Sequence, residues 1–220
     1  MQFTKNKIQS QYHFFILVLI FSISFSFLFS SCKKDDEDEN PKEQGSYFPL
    51  TTTSTWTYQD EENQTYIQTL TSQTKSVGGF TWNMISVEPN NIDEELLVRI
   101  DPSTQKVYYG YDFTDDEGVL FVTAIADLDA KIGDTWSDTF EDDGFTLSYQ
   151  MTLLEKDVTK TINGKSYDNV MVVKQDESFT PLVDGITTDK STWYFAKGIG
   201  IIAIEYEDGD YSRLIDYSIK

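Results

Sequence analysis

Histidine and cysteine are almost missing from this sequence: each occurs once, as His13 and Cys32. Ser-His-Asp and Cys-His catalytic systems need an imidazole base, and zinc sites rely on imidazole or thiolate ligands. His13 lies in a segment that we expect to be removed, and a single cysteine has no partner for an internal disulfide bond. We therefore predict a protein that is not an enzyme and that holds no cofactor or metal. A carboxylate-dependent hydrolase remains the catalytic alternative.

Basic residues are scarce as well: 17 lysines and arginines stand against 37 aspartates and glutamates, for a formal net charge of −20. Removal of residues 1–31 takes away Lys5 and Lys7 but no acidic residue, which leaves 15 basic against 37 acidic residues, or −22. A surface this acidic repels phosphate backbones. Nucleic acid is therefore excluded as an expected partner.

Only one long apolar run is present, from residue 14 to residue 29, and Lys5 and Lys7 precede it. This order is typical of an export signal, and the run is shorter than the roughly 20 apolar residues of a membrane-spanning helix. It ends in Leu28-Phe29-Ser30-Ser31-Cys32, which resembles the lipobox of bacterial lipoproteins. The resemblance implies a signal peptide at residues 1–31, cleavage before Cys32 and a lipid anchor on that cysteine as the contact with a membrane.

The anchor is followed by a charged segment without apolar residues. It begins with Lys33, Lys34, Asp35, Asp36 and Glu37. Because such a run buries nothing, residues 32–45 are predicted to be a solvated, flexible tether. The lysines followed by acids also resemble the lipoprotein export signal of Bacteroidota, which implies an outer-membrane protein that faces the cell exterior.

Residues 46–220 read as one domain built from strands. Alternation of apolar and polar residues appears in five runs, 55–58, 66–72, 80–84, 106–111 and 145–153. Five more strand-like runs follow between turn residues: the two arms of a hairpin, 159–162 and 165–173, and the β-rich runs 192–195, 201–206 and 213–219. Asn163-Gly164 supplies the positive-φ pair of a tight hairpin turn. Short connections join antiparallel neighbours. We therefore predict an all-β, single antiparallel meander domain that forms a strongly curved open barrel or a two-layer sandwich.

Several short patterns were weighed as binding sites. Acidic turns at 112–117, 141–143 and 207–210 offer oxygen ligands, but none matches the twelve-residue calcium loop. Residues 197–200, Lys-Gly-Ile-Gly, are better explained as a turn between strands than as a phosphate-binding loop, because strand-like residues follow. Tyr108 and Tyr109 must face opposite sides of a strand, so one of them lies outside the core. The ligand-binding residues stay unknown at this level.

The motifs of the domain resemble a group of Bacteroidota lipoproteins of unassigned function. The resemblance rests on these segments: 47–50 (Tyr-Phe-Pro-Leu), 56–58 (Trp-Thr-Tyr), 133–136 (Gly-Asp-Thr-Trp), 163–170 around Asn-Gly-Lys, and 193–200 (Trp-Tyr-Phe-Ala-Lys-Gly-Ile-Gly). Thr53 stands where that group usually has a glycine. The resemblance implies an all-β fold and outer-membrane anchoring, and it brings no catalytic residues.

Two functions follow from these observations as expectations. The first is a surface-exposed lipoprotein that acts as a non-enzymatic binding module for a glycan, a protein or a matrix component. The second is a carrier of a lipid or another apolar ligand, which requires an unfilled cavity inside the curved sheet.

Overall fold

A computed structural model of the chain describes residues 46–89, 94–113, 119–142, 145–181 and 186–220. The predicted signal peptide, Cys32 and the tether lie outside the described residues. So do residues 114–117 and residue 143 of the acidic turns. The strands are β1 Thr55–Asp60, β2 Thr65–Val77, β3 Phe80–Glu88, β4 Glu94–Ile100, β5 Lys106–Phe113, β6 Val119–Asp127, β7 Thr135–Asp142, β8 Phe145–Ile162, β9 Lys165–Pro181, β10 Thr187–Ala196, β11 Gly200–Tyr206 and β12 Tyr211–Ser218. No helix in these ranges is long and apolar enough to cross a membrane.

All twelve strands belong to one antiparallel sheet in the order β6-β5-β4-β3-β2-β1-β12-β11-β10-β9-β8-β7. Each strand pairs with its neighbour in sequence except β6 and β7, and β1 pairs with β12. The sheet therefore curls into a nearly closed barrel with one unsealed seam, between β6 and β7. The predicted all-β antiparallel meander is confirmed, and of the two proposed architectures the barrel is the one formed.

Aromatic side chains fill much of the barrel interior. Phe48, from the segment before β1, packs edge-to-face on Tyr109, with ring centroids 5.8 Å apart. Tyr109 in turn meets Trp193 edge-to-face at 6.4 Å. Trp56 Nε1 donates a hydrogen bond of 2.6 Å to the carbonyl of Ile199. The indole N–H of Trp56 thus has a partner inside the barrel, which lets this large ring be buried without an unsatisfied donor.

Two turns predicted from the sequence are present. Asn163 and Gly164 adopt φ angles of 49° and 76°, as a tight hairpin requires. Residues 197–199 form the turn between β10 and β11, and Gly200 has a φ of 108°. A Cβ at Gly200 would lie 3.5 Å from Trp56 Nε1, an ordinary van der Waals distance, so the positive φ is what requires a glycine here.

Side chains of β7 bridge the seam where the main-chain ladder is missing. The backbone N–H of Ala124 on β6 donates to Asp138 Oδ2 at 3.0 Å, and Trp136 Nε1 donates to the carbonyl of Ala124 at 2.7 Å. Both main-chain groups of Ala124 are therefore satisfied by β7 side chains. Because side chains lie between them, β6 and β7 are farther apart here than the roughly 4.8 Å between paired strands. We call the two hydrogen bonds at Ala124 the latch.

Candidate functional site

Residues of β7, β8, β9 and β10 line a shallow groove of about 430 Å³, and they include Tyr149, Glu177 and Asp189 as well as the two rows described next. Cross-strand partners share a face of the sheet, so the registers define two rows across four strands. The first row is Ser137, Gln150, Asp176 and Lys190, and the second is Thr139, Ser148, Ser178 and Thr188. One row is made of hydroxyl groups alone. The groove thus offers hydrogen-bond donors and acceptors on a rigid four-strand platform.

Of the four charged residues that line the groove, Asp176 and Lys190 are in ion pairs, whereas none is recorded for Glu177 and Asp189 among the described residues. Lys174, one row further along β9, lies 2.7 Å from the carboxylate of Asp176, and Lys190 lies 3.3 Å from Glu207 Oε1. These partly exposed pairs add little stability. The row of hydroxyl groups beside these pairs favours a hydroxyl-rich ligand.

The inner face of the same strands turns polar near the end of the barrel where β9 ends and β10 begins. Successive inner rows there hold Met151, Gln175 and Ser191, and then Tyr149, Glu177 and Asp189. Gln175 Nε2 donates to Glu177 Oε2 at 3.1 Å, while Gln175 Oε1 has no hydrogen-bond partner. We call these two rows and Tyr206, the partner of Ser191, the inner polar cluster.

Glu177 is the most perturbed carboxylic acid of the inner polar cluster. Burial, with a smaller contribution from the negative charge of Asp189, raises its pKa from the usual 4.5 to about 7. The hydrogen bond from Gln175 acts in the opposite direction. Burial dominates because the inner face excludes the water that solvates an ionised carboxylate.

Glu177→Gln should therefore stabilise the domain in a pH-dependent way. Because the pKa of Glu177 is higher in the folded than in the unfolded state, this group contributes its full stability below the unfolded pKa. That contribution is lost as the pH rises through about 7 and the carboxyl ionises in the folded state. The variant removes this loss, so its gain in free energy of unfolding should be near zero at pH 4 and reach up to about 3 kcal/mol at pH 8. Urea unfolding of both proteins at the two pH values measures it. A gain that does not vary with pH would contradict the assignment.

The other residues singled out in the sequence take structural positions. Tyr109 faces the core, whereas Tyr108 faces the other side and stacks on the Arg99 guanidinium, 4.2 Å from its carbon to the ring centroid. In the turn at 207–210, Asp208 Oδ1 accepts a hydrogen bond from the backbone N–H of Asp210, so it stabilises the turn itself. Among the described residues, no group of three or more acidic or other metal-ligating side chains is arranged to hold an ion.

Comparison with known proteins adds no functional assignment, because no family model, no curated protein and no solved structure matches this chain. The argument for function therefore rests on the groove and on the inner polar cluster. Sequence reasoning found neither, since both depend on strand register. The signal that was available is the repeated Ser/Thr at alternate positions of β7 to β10.

Proposed function

We propose that this chain is a lipoprotein anchored through Cys32 in the outer membrane and displayed on the cell exterior, where its β domain acts as a non-enzymatic binding module for a neutral glycan. Lys33, Lys34, Asp35, Asp36 and Glu37 would supply the sorting signal. The observation that carries the binding role is the outward groove, with its row of four hydroxyl side chains contributed by four strands.

The chemistry of the groove supports a glycan in particular. Sugar hydroxyls act as donors and acceptors together, as do the serine and threonine hydroxyls and the Gln150 amide. The charges of Asp176 and Lys190 beside the hydroxyl row are each compensated by a protein partner, Lys174 and Glu207.

The packing of the interior speaks against the carrier alternative. A carrier needs an apolar cavity, and in this barrel Phe48, Tyr109 and Trp193 contact one another across the inside. The inner polar cluster would also be a poor lining for an acyl chain. The chain would displace water from polar groups of the cluster and give them no hydrogen-bond partner in return.

Ser178→Trp should abolish glycan binding. Ser178 sits mid-row on β9, so an indole there fills the groove without entering the core. We expect Kd for the bound glycan to rise at least about tenfold, or 1.4 kcal/mol. The measurement is titration of labelled neutral polysaccharides against the immobilised protein.

Ser166→Trp is the matched control, because Ser166 lies exposed on the same strand at its other end. It should bind like the wild type. If Ser178→Trp and Ser166→Trp bind the glycan equally well, the groove is not the glycan site. If the wild type hydrolyses the polysaccharide, the non-enzymatic assignment is wrong.

A further inference from the structure

We propose that the inner polar cluster is a binding site for an alkylammonium group, either that of a free primary amine or that of a lysine side chain on a peptide. The site consists of three acceptors, the amide oxygen of Gln175 and the carboxylates of Glu177 and Asp189, with the phenol rings of Tyr149 and Tyr206 beside them. Its residues Tyr149, Glu177 and Asp189 also line the groove, so the amine site adjoins the hydroxyl row of the proposed glycan site.

Gln175 shows that the cluster lacks a donor. The residue is only 7% exposed, and its amide nitrogen is used by Glu177, but its oxygen has no partner. A buried acceptor without a donor is unfavourable by about 1–3 kcal/mol. A ligand that donates a hydrogen bond at this position removes that penalty, and the amide already points toward the neighbouring carboxylate.

The two carboxylates lack a cation as well. Glu177 and Asp189 are directly opposite each other on adjacent strands and on the same face, where like charges repel. Across the described ranges neither carboxylate takes part in an ion pair; the nearest lysine in sequence, Lys190, belongs to the other face and meets Glu207. The raised pKa of Glu177 agrees with this lack of positive charge.

The surrounding rings suit an organic cation rather than a bare metal ion. Tyr149 pairs with Glu177 across β8 and β9 and is buried. Tyr206 is partly buried, and burial together with the charges of Tyr66, Tyr111, Asp189 and Glu177 raises the pKa of its phenol, which places these groups near one another. Ring faces attract ammonium groups. An ammonium with three N–H donors matches the three acceptors, and the protein's net charge of −20 attracts cations toward it.

The test is calorimetric titration of the full chain, purified in detergent, with n-butylammonium chloride and separately with a short lysine-containing peptide. The same concentrations of n-butanol and of sodium chloride serve as neutral and ionic references. We expect saturable binding of at least one amine and none of butanol. Stronger binding of the free amine assigns the site to small amines, and stronger binding of the peptide assigns it to a protein partner. No saturable binding of either would overturn the proposal.

Three variants distinguish binding of the amine at this site from nonspecific attraction of a cation to an acidic protein. Glu177→Gln and Gln175→Met should each weaken binding on the order of tenfold or more, whereas Asp176→Asn, which removes a carboxylate one residue away on the outer face, should leave it unchanged. Affinity of the wild type should also fall about tenfold or more between pH 8 and pH 5.5, as Glu177 takes up a proton. Equal loss in all three variants, or binding independent of pH, would contradict the site.

Discussion

Trp136→Ala should lower the free energy of unfolding by about 3–5 kcal/mol, the range for deleting a buried tryptophan side chain. The effect is large here because Trp136 fills core volume and also donates to the Ala124 carbonyl across the seam. Removal of the indole leaves that buried carbonyl without a donor and leaves the Asp138 contact as the remaining bridge at Ala124. Urea unfolding measures the total effect. Hydrogen exchange of the β6 amides should accelerate more than that of β9, which tests the location.

Two controls divide the effect of Trp136→Ala into its parts. Trp136→Phe retains most of the ring volume but not the N–H, and should lower the free energy of unfolding by about 1–3 kcal/mol. Ser137→Ala changes the adjacent, outward-facing residue and should stay within about 0.5 kcal/mol of the wild type. If Trp136→Ala proves as mild as Ser137→Ala, the seam is held by something other than the latch at Ala124.

Cys32→Ser should move the protein completely from the membrane fraction to the soluble fraction of the cell envelope. The serine hydroxyl is not a substrate for thioether acylation, so the acyl chains that supply about 0.8 kcal/mol per buried CH₂ are never attached. The wild type should be released from membranes by detergent alone and not by high salt, because acyl insertion is not electrostatic. Fractionation followed by immunoblotting measures both.

Ser31→Ala provides the control for Cys32→Ser, since it keeps a small residue before the cysteine and should remain membrane-bound. Retention of Cys32→Ser in the membrane after a salt wash, in a form from which residues 1–31 have been removed, would mean that the domain itself binds the membrane. That result would contradict the proposed lipid attachment.

Most of the strands that the sequence predicted have one face in the core and one in solvent. Strands β4, β6 and β7 were missed, the last of them although its buried Trp136 lies between exposed Thr135 and Ser137. In β4, the consecutive residues Leu96, Leu97 and Val98 are all buried, and in β6 so are residues 123–126. Burial on both faces removes the alternation that marks a strand, and it leaves a short apolar run that periodicity alone does not identify. The prediction of ten runs thus gave the fold class but not the two strands that border the seam.

Neither candidate site could be read from the chain before the register was known. Ser148 and Ser178 are 30 positions apart and become neighbours only through the pairing of β8 with β9. That pairing contains register shifts at Glu155 and Val158, which no local pattern predicts. In the sequence, Glu177 likewise could not be distinguished from the other acidic residues. Its position opposite Asp189 and its burial are consequences of tertiary structure.

The most direct test of the proposed function is the binding of a labelled neutral polysaccharide to intact cells of the native host. Cells that produce the wild type or Ser166→Trp should retain the polysaccharide, and cells that produce equal amounts of Ser178→Trp should not. That result requires both display on the cell exterior and binding through the groove. Retention that is the same for all three, or seen only after the cells are permeabilised, would contradict a surface-displayed binding module that uses this face.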